Sequence, residues 1–501
     1  MLNKLATSER LKSVIIVVLF LTTVLLSYLY WHGENFTGLT ETVNDRLSNQ
    51  AFTTATAPDM ASLVCPETVS VNFGDGTYCQ ITENAALLWE EFLPIYIDFT
   101  KMSNLMIEEI SEDQWNESLE YGSVTYGFGY DIPNSFFESL GAANYGETDY
   151  FDSIYSITCT KAGETAVLIK NEGSGKYFRV IADSEFFDLE GLLKKIRKSE
   201  TLDNTSLSGD ELSFLYYPAN LLAGTNNRTC LPYESAVPLR PLRITTQGIA
   251  AYERSLAETF FGKGLDFVRK VTDDSGIIIY MYGYNHTTLS IYPNGYFEYT
   301  DTPSSRDTTL SFNQALSLAS DFIAGHGTWT SYDDSRTGYL LKSATSGTRG
   351  KSSFYRFCFE TEYDNHPVFA AEGYDIVIEL EGDQVTFYSR NALAFTSTSL
   401  TPEPADTGRN ASVPDILASS YTQITDAIYE MGGFVTLDGA TYGENMEKVL
   451  SQLNSVIPGY LQTSKDSSIL TPVWIFSFRE GSVFFDLYSG NYLGNIKAGD
   501  R

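Results

Sequence analysis

The sequence predicts an α+β fold: a single N-terminal transmembrane helix, then tandem extracellular domains of mainly antiparallel sheet with packed helices. Three observations predict it. One uncharged stretch, "SVIIVVLFLTTVLLSYLYW" (13–31), has no counterpart elsewhere in the chain. Beyond it, short runs alternate apolar and polar residues between Gly-, Asn- and Asp-containing turns, the period of half-buried strands. Amphipathic helical segments are interspersed among these runs, and part of their order repeats towards the C-terminus.

The apolar stretch is long enough to span a bilayer. Nineteen residues make a helix of roughly 28 Å against a hydrocarbon core of ~30 Å. A signal-peptide core is shorter and leads to a small-x-small cleavage site, whereas this run ends in Tyr28, Tyr30 and Trp31. Aromatic residues there suit the interfacial belt of a retained anchor; a cleaved leader is the alternative. Lys4, Arg10 and Lys12 precede the helix, and Glu34, Glu41 and Asp45 follow it. The positive-inside rule then places residues 1–12 in the cytoplasm and the bulk outside. Thr23 and Ser27, four apart, share a helix face and form a small-xxx-small patch for a partner helix. Alternatively, their hydroxyls bond back to their own helix.

Composition narrows the function. Lys and Arg number 33 against 64 Asp and Glu, a formal charge of −31, so nucleic acid and anionic lipid headgroups find no basic footprint. Five cysteines show neither a disulfide scaffold nor zinc spacing. Cys65 and Cys79 flank the hairpin "CPETVSVNFGDGTYC", where a bridge and two thiols are both compatible with the sequence.

Residues 32–64 are polar and lack sustained periodicity, which reads as a stalk. In the first block (65–243), a hairpin turning at "GDG" precedes "ENAALLWEEFLPIYIDFTKM", a helix expected to break at Pro94. Ser111 opens a capping signature, "GSVTYGFGYDIP" reads as a strand, and "SIYSITCTKAGETAVLIKNEGSGKYFRVIA" as three more. "DLEGLLKKIRKSE" is a basic helix with a solvated face. In the second block (244–395), "GIIIYMYGYNHTTLSIYPNGYFEYT" gives strands joined at Pro293, Asn294 and Gly295. "SFNQALSLASDFIAGHG" is an amphipathic helix with Ala315, Leu318, Ala319, Phe322 and Ile323 on one face, and strands follow it. The third block (396–501) again places helices before strands. "IVIELEGDQV" and "VFFDLYSGNYL" end the two blocks alike, as a strand, a Gly-containing turn and a returning strand.

No catalytic constellation stands out. His32, His286, His326 and His366 are scattered, and His326 at a helix end reads as structural. "TSGTRGKSS" only resembles the end of a phosphate loop, since Thr345 stands where the first glycine belongs. No cofactor, metal or enzymatic activity is expected.

The layout as a whole resembles the YycH (WalH) family of Gram-positive bacteria. "ERLKSVIIVVLFLTTVLLSYLYW", "PETVSVNFGDGTYCQI" and "ISEDQWNESLEYGSVTYGFGYDIPNSFF" look like that family's anchor and first extracellular domain. "SIYPNGYFEYT", "ALSLASDFIAGHGTW", "HPVFAAEGYDIVIELEGDQVTFYSR" and "ILTPVWIFSFREGSVFFDLYSGNYLG" look like the module it shares with YycI. The resemblance implies a single-pass regulator of the WalK (YycG) sensor histidine kinase, which controls cell-wall metabolism. It would act with a YycI-like protein through transmembrane and ectodomain contacts, without catalytic residues. A binding module for a wall fragment or peptide, seated in an inter-domain cleft, and a wall hydrolase are the competing classes.

Overall fold

The structure is a computed structural model that describes residues 57–498 apart from short stretches, the longest at 144–150, 201–215, 222–229, 233–238, 247–252, 330–336 and 398–409. The expected anchor, Thr23, Ser27 and residues 32–56 of the expected stalk lie outside the described residues, whereas 57–64 belong to the folded first block, with Leu63 and Val64 in its core. Among the described residues, no helix is long and apolar enough to cross a membrane.

The first block runs α1 (Met60–Leu63), β1 (Thr68–Asn72), β2 (Tyr78–Ile81), α2 (Ala85–Thr100), β3 (Met106–Ile110), α3 (Glu112–Ser118), β4 (Ser123–Pro133) and α4 (Asn134–Ser139). It continues with β5 (Ser153–Ala162), β6 (Glu164–Asn171), β7 (Lys176–Ile181), α5 (Leu189–Glu200), β8 (Tyr216–Leu221) and β9 (Cys230–Pro232). Its strands form one antiparallel sheet in the order β3-β7-β6-β5-β4-β1-β2-β8-β9. The expected turn at Gly74–Asp75–Gly76 joins β1 to β2, with both glycines at positive φ (79° and 86°). Asn72 and Asp75 side chains accept the N–H groups of Gly74 and Thr77 there.

One local expectation changes, and one open alternative is decided. Pro94 does not interrupt α2, which runs unbroken from Ala85 to Thr100. Trp89, Phe92, Tyr96 and Phe99 are buried along one face, and this packing outweighs the lost hydrogen bond. Glu90, four residues earlier, is exposed, so water can reach the carbonyl left without its donor. Cys65 and Cys79 are buried thiols, not a bridge. The hairpin register sets Cys79 opposite Val71, six residues past Cys65, so the two sit at different levels of the ladder.

The middle block comprises β10 (Leu242–Thr246), α6 (Glu253–Phe261), β11 (Arg269–Thr272), β12 (Ile278–Tyr282), β13 (Thr287–Ile291), β14 (Tyr296–Asp301) and α7 (Phe312–Gly325). It ends with β15 (Thr337–Arg349), β16 (Ser352–Tyr363), β17 (His366–Phe369), β18 (Ile376–Glu381), β19 (Gln384–Asn391) and β20 (Leu393–Ser397). The phosphate-loop lookalike falls at the exposed end of β15 and the turn into β16. Ser311 caps α7 in a reciprocal box with Gln314, as Ser111 does for α3 with Gln114. The last block is α8 (Val413–Glu430), α9 (Tyr442–Leu450), β21 (Leu453–Leu461), β22 (Ile469–Phe478), β23 (Gly481–Asp486) and β24 (Tyr492–Lys497).

The similar endings of the middle and last blocks correspond to a shared layout. In each, helix precedes a four-stranded antiparallel meander: β15-β16-β18-β19 in one, β21-β22-β23-β24 in the other. The two meanders are not independent sheets. β17 lies parallel to β21 with Val368 opposite Tyr460, which joins them. The expected boundaries at 243/244 and 395/396 both fall inside strands that pair with each other, β10 and β20, with Ile244 opposite Phe395. The chain therefore enters and leaves the middle block side by side, and Leu242 of this stem pairs with Leu470 of β22.

One hydrophobic core extends from the first block into the middle one. Phe136 of α4 meets Phe312 of α7 at 6.4 Å, and Asn313 Nδ2 donates to the Ser135 carbonyl at 2.7 Å. A second core lies beneath α8 in the last block and includes stem residues Leu242, Ile244 and Phe395.

The β17–β21 join requires a residue without a side chain at 459. A Cβ on Gly459 would stand 2.7 Å from the Pro367 carbonyl oxygen and would also meet Ile475. Gly459→Val is expected to cost about 1–3 kcal/mol, as overpacking does. Urea denaturation followed by circular dichroism measures the loss; a wild-type midpoint would mean that β17 does not lie where described.

Candidate functional site

The alternation that builds the first sheet also builds its open face. Val69 and Val71 of β1, Val124, Tyr126 and Phe128 of β4, and Ile157 and Cys159 of β5 point into the core. The residues between them are small and mostly hydroxylic. Register aligns these into two rows across the sheet: Thr68–Gly127–Ser156–Lys170, and Ser70–Thr125–Thr158–Leu168. Thr125 and Thr158 share a hydrogen bond at 2.8 Å. A third row, Asn72–Ser123–Thr160, is sealed: Asn72 donates to the Leu119 carbonyl and Thr160 to that of Ser118, at the end of α3.

The first row, with Ser70 and Thr125 of the second, forms the floor of a cleft of about 770 Å³, while Thr158 and Leu168 are buried. Its opposite wall belongs to the last block: Gln452, Asn454 and Ser455 at the start of β21, and the β22–β23 turn around Arg479 and Glu480. The middle block contributes Lys342 and Tyr374. β4 bends beside the cleft at an irregularity between Gly127 and Ile132. There Gly129 adopts positive φ (76°), and Asp131 accepts the N–H of Gly173 at 2.8 Å.

Two cations of the cleft are already matched. Lys170 pairs with Glu172 at 2.7 Å and lies 5.1 Å from the Tyr155 ring centroid. Lys342 faces Glu362 at 3.9 Å with both side chains largely buried. Burial pushes the Glu362 carboxyl above the usual range, with Lys342 opposing and Glu360 and Glu67 adding to it. The neighbouring Cys65 thiol is pushed up to about 12, first by burial and then by Glu362, which leaves it unreactive at neutral pH. Tyr130 also lines the cleft, and its hydroxyl oxygen is buried with no hydrogen-bond partner.

Histidine chemistry is absent from this cleft. His326 caps α7, bonds the Phe322 carbonyl at 2.7 Å and stacks on the Phe322 ring at 3.9 Å, a structural role. His366 is buried at the start of β17 and bonds the Asp364 carbonyl at 2.7 Å; burial lowers the pKa of both. Among the described residues no cluster of three or more His, Cys, Asp or Glu is arranged to hold a metal. The basic helix α5 spends its charge locally, Lys195 on Glu91 and Arg197 on Asp75. The cleft rows went unrecognised in the sequence. "TVSVN", "SVTYGFG" and "SIYSITCT" each carry the signal, a small residue at every second position, but only register shows that they are neighbours.

No family model matches the sequence, and no curated protein matches it. Among solved structures, the chain is similar to the crystal structure of YycH from Bacillus subtilis, with a TM-score of 0.49 and 12% identity. The alignment covers 89% of this chain and 98% of that one. The likeness is one of fold and carries no residue of the cleft across.

Behind the cleft, Asp375 is buried and its carboxyl is raised to about 7, chiefly by desolvation, against hydrogen bonds from Thr361 that lower it. The Thr361 N–H donates to Oδ2 at 2.9 Å, and Oδ1 has no partner. The ordinary carboxylate value is about 3.9, so between roughly pH 4 and pH 7 the native chain holds a proton that the unfolded chain has released. The stability tied to this group is full below about pH 4 and is lost as pH rises through 7. Asp375→Asn should remove that fall, a slope of at most about 1.4 kcal/mol per pH unit. Denaturation of both proteins at several pH values tests this, and parallel curves would refute it.

Proposed function

We propose that this chain is a membrane-anchored extracytoplasmic regulator of the YycH type, working with a YycI-like protein on a WalK (YycG)-like sensor histidine kinase that controls cell-wall metabolism. The observation that carries the reading is the repeated unit. Two modules, each a helix before a four-stranded meander, follow an unrelated first block, in the order in which the sequence segments resemble that family. The uncharged segment 13–31 supports an anchor, and its basic N-terminal flank supports outward placement of the remainder. A large exterior body on one helix can pass on helix position, tilt or proximity, which suits a regulator without chemistry of its own.

Thr23 and Ser27 are the proposed contact with a partner helix. Each hydroxyl bond across helices is worth about 0.6 kcal/mol, to which close packing at the small-residue face adds. Replacing both residues with Leu should leave insertion and folding intact, while reducing co-purification of the kinase and the YycI-like protein from membranes and altering kinase output. Normal output after exchange of 13–31 for an unrelated apolar anchor would reduce the helix to a tether. Topology is tested separately: protease added to intact protoplasts should digest residues beyond the anchor, and protection would overturn the orientation.

The cleft between blocks favours a second reading, a binding module. It is compatible with the first, since a regulator's exterior body can carry a ligand site.

A further inference from the structure

We propose that the cleft between the first and last blocks binds a linear, uncharged glycan chain, laid across the hydroxyl rows of the nine-stranded sheet. This does not depend on the kinase reading.

The surface is polar where most small-molecule sites are apolar. A ligand that replaces its water must therefore bring hydroxyl or amide groups of its own, or leave polar groups unpaired. Three floor hydroxyls await such a ligand: among the described residues, those of Thr68, Ser70 and Ser156 have no protein partner. The buried, unpartnered hydroxyl of Tyr130 adds a fourth polar group without a bond. Within the first row, Gly127 keeps the floor low, since a Cβ there would stand 2.8 Å from Thr68 Oγ1. The half-buried rings of Tyr130, Tyr155 and Tyr374 supply the flat faces against which the C–H side of a sugar ring packs.

Two other ligand classes fit worse. An extended peptide is held by main-chain pairing with a free strand edge or by apolar pockets for its side chains. β1, β4, β5 and β6 are each paired on both sides, so the floor offers a face and no edge. A polyanionic chain would meet a protein of net charge −31, and two of the cleft's cations, Lys170 and Lys342, already face Glu172 and Glu362. What remains is a chain without charge and dense in hydroxyls.

The test is isothermal titration of the full-length protein, in a detergent without a sugar headgroup, with chitohexaose, cellohexaose and an uncharged Gly/Ser hexapeptide. At least one hexasaccharide should bind saturably at one site and raise the thermal midpoint. Thr68→Val with Ser70→Ala removes two unpartnered hydroxyls at nearly constant shape, so it should weaken that binding about tenfold and leave the ligand-free midpoint unchanged. Gly127→Val, which fills the floor, should abolish binding; its ligand-free midpoint reports whether it folds. Three results would overturn the proposal. They are no saturable binding by either saccharide, an affinity unaffected by the double substitution in a folded protein, and peptide binding as tight as saccharide binding with the same loss.

Discussion

The close approach of β17 to β21 at Gly459 governs the arrangement of the whole molecule. A short parallel pairing, Val368 beside Tyr460 and Phe369 beside Leu461, turns two meanders into one sheet. It is possible because position 459 has no side chain to hold the strands apart. The stem of β10 and β20 makes the same connection from the other side, through Leu242 and Leu470. With the two modules fixed to each other, and α7 fixed to α4 by Phe312, Phe136 and Asn313, the first sheet has one placement relative to the last block. That placement sets the β22–β23 turn opposite the hydroxyl rows. The cleft follows from packing elsewhere.

Local chemistry explains which elements could be read from the chain. Where a residue's role is settled by its immediate neighbours, sequence and structure agree: the Ser111 cap, the Gly74–Asp75–Gly76 turn, and the buried stripe of Ala315, Ala319 and Ile323 on α7. Where tertiary packing overrides a local rule, they differ. Pro94 stays helical because four aromatic side chains, from Trp89 to Phe99, are buried on its helix. β21 contains Pro458 and Gly459. β17 pairs with β21 only from Tyr460 onward, so Pro458 lies on a stretch with one neighbouring strand, where a missing N–H is tolerated. β15 drew attention only as a false phosphate loop, because its Ser, Thr and Gly residues suppress the apolar alternation that marks a strand.

The cleft was the least accessible feature, for a related reason. Its floor comes from β1, β4, β5 and β6, spread over about a hundred residues, and each contributes only one or two side chains. In each segment a serine or threonine between apolar residues reads as an ordinary solvent face. Their significance lies in adjacency across the sheet, which is a property of register. Buried charge is similarly invisible: Glu360, Glu362 and Asp375 look like three more acids in an acidic chain. Only their burial distinguishes them, and it makes the junction behind the cleft sensitive to protonation.

These two features bear on how an exterior body could act through one helix. The floor of the cleft belongs to the first block, which follows the proposed anchor in the chain, and its far wall belongs to the last. A ligand gripping both walls favours whichever separation of the blocks best satisfies its contacts, and only that differential affinity can shift a conformational balance. Lys342, Glu362 and Asp375 are buried at the junction between the walls, beside the apolar core that the first and middle blocks share. Under the proposed topology, a ligand held by both walls would couple its occupancy to the placement of the first block over the membrane, whereas the two meanders share one sheet.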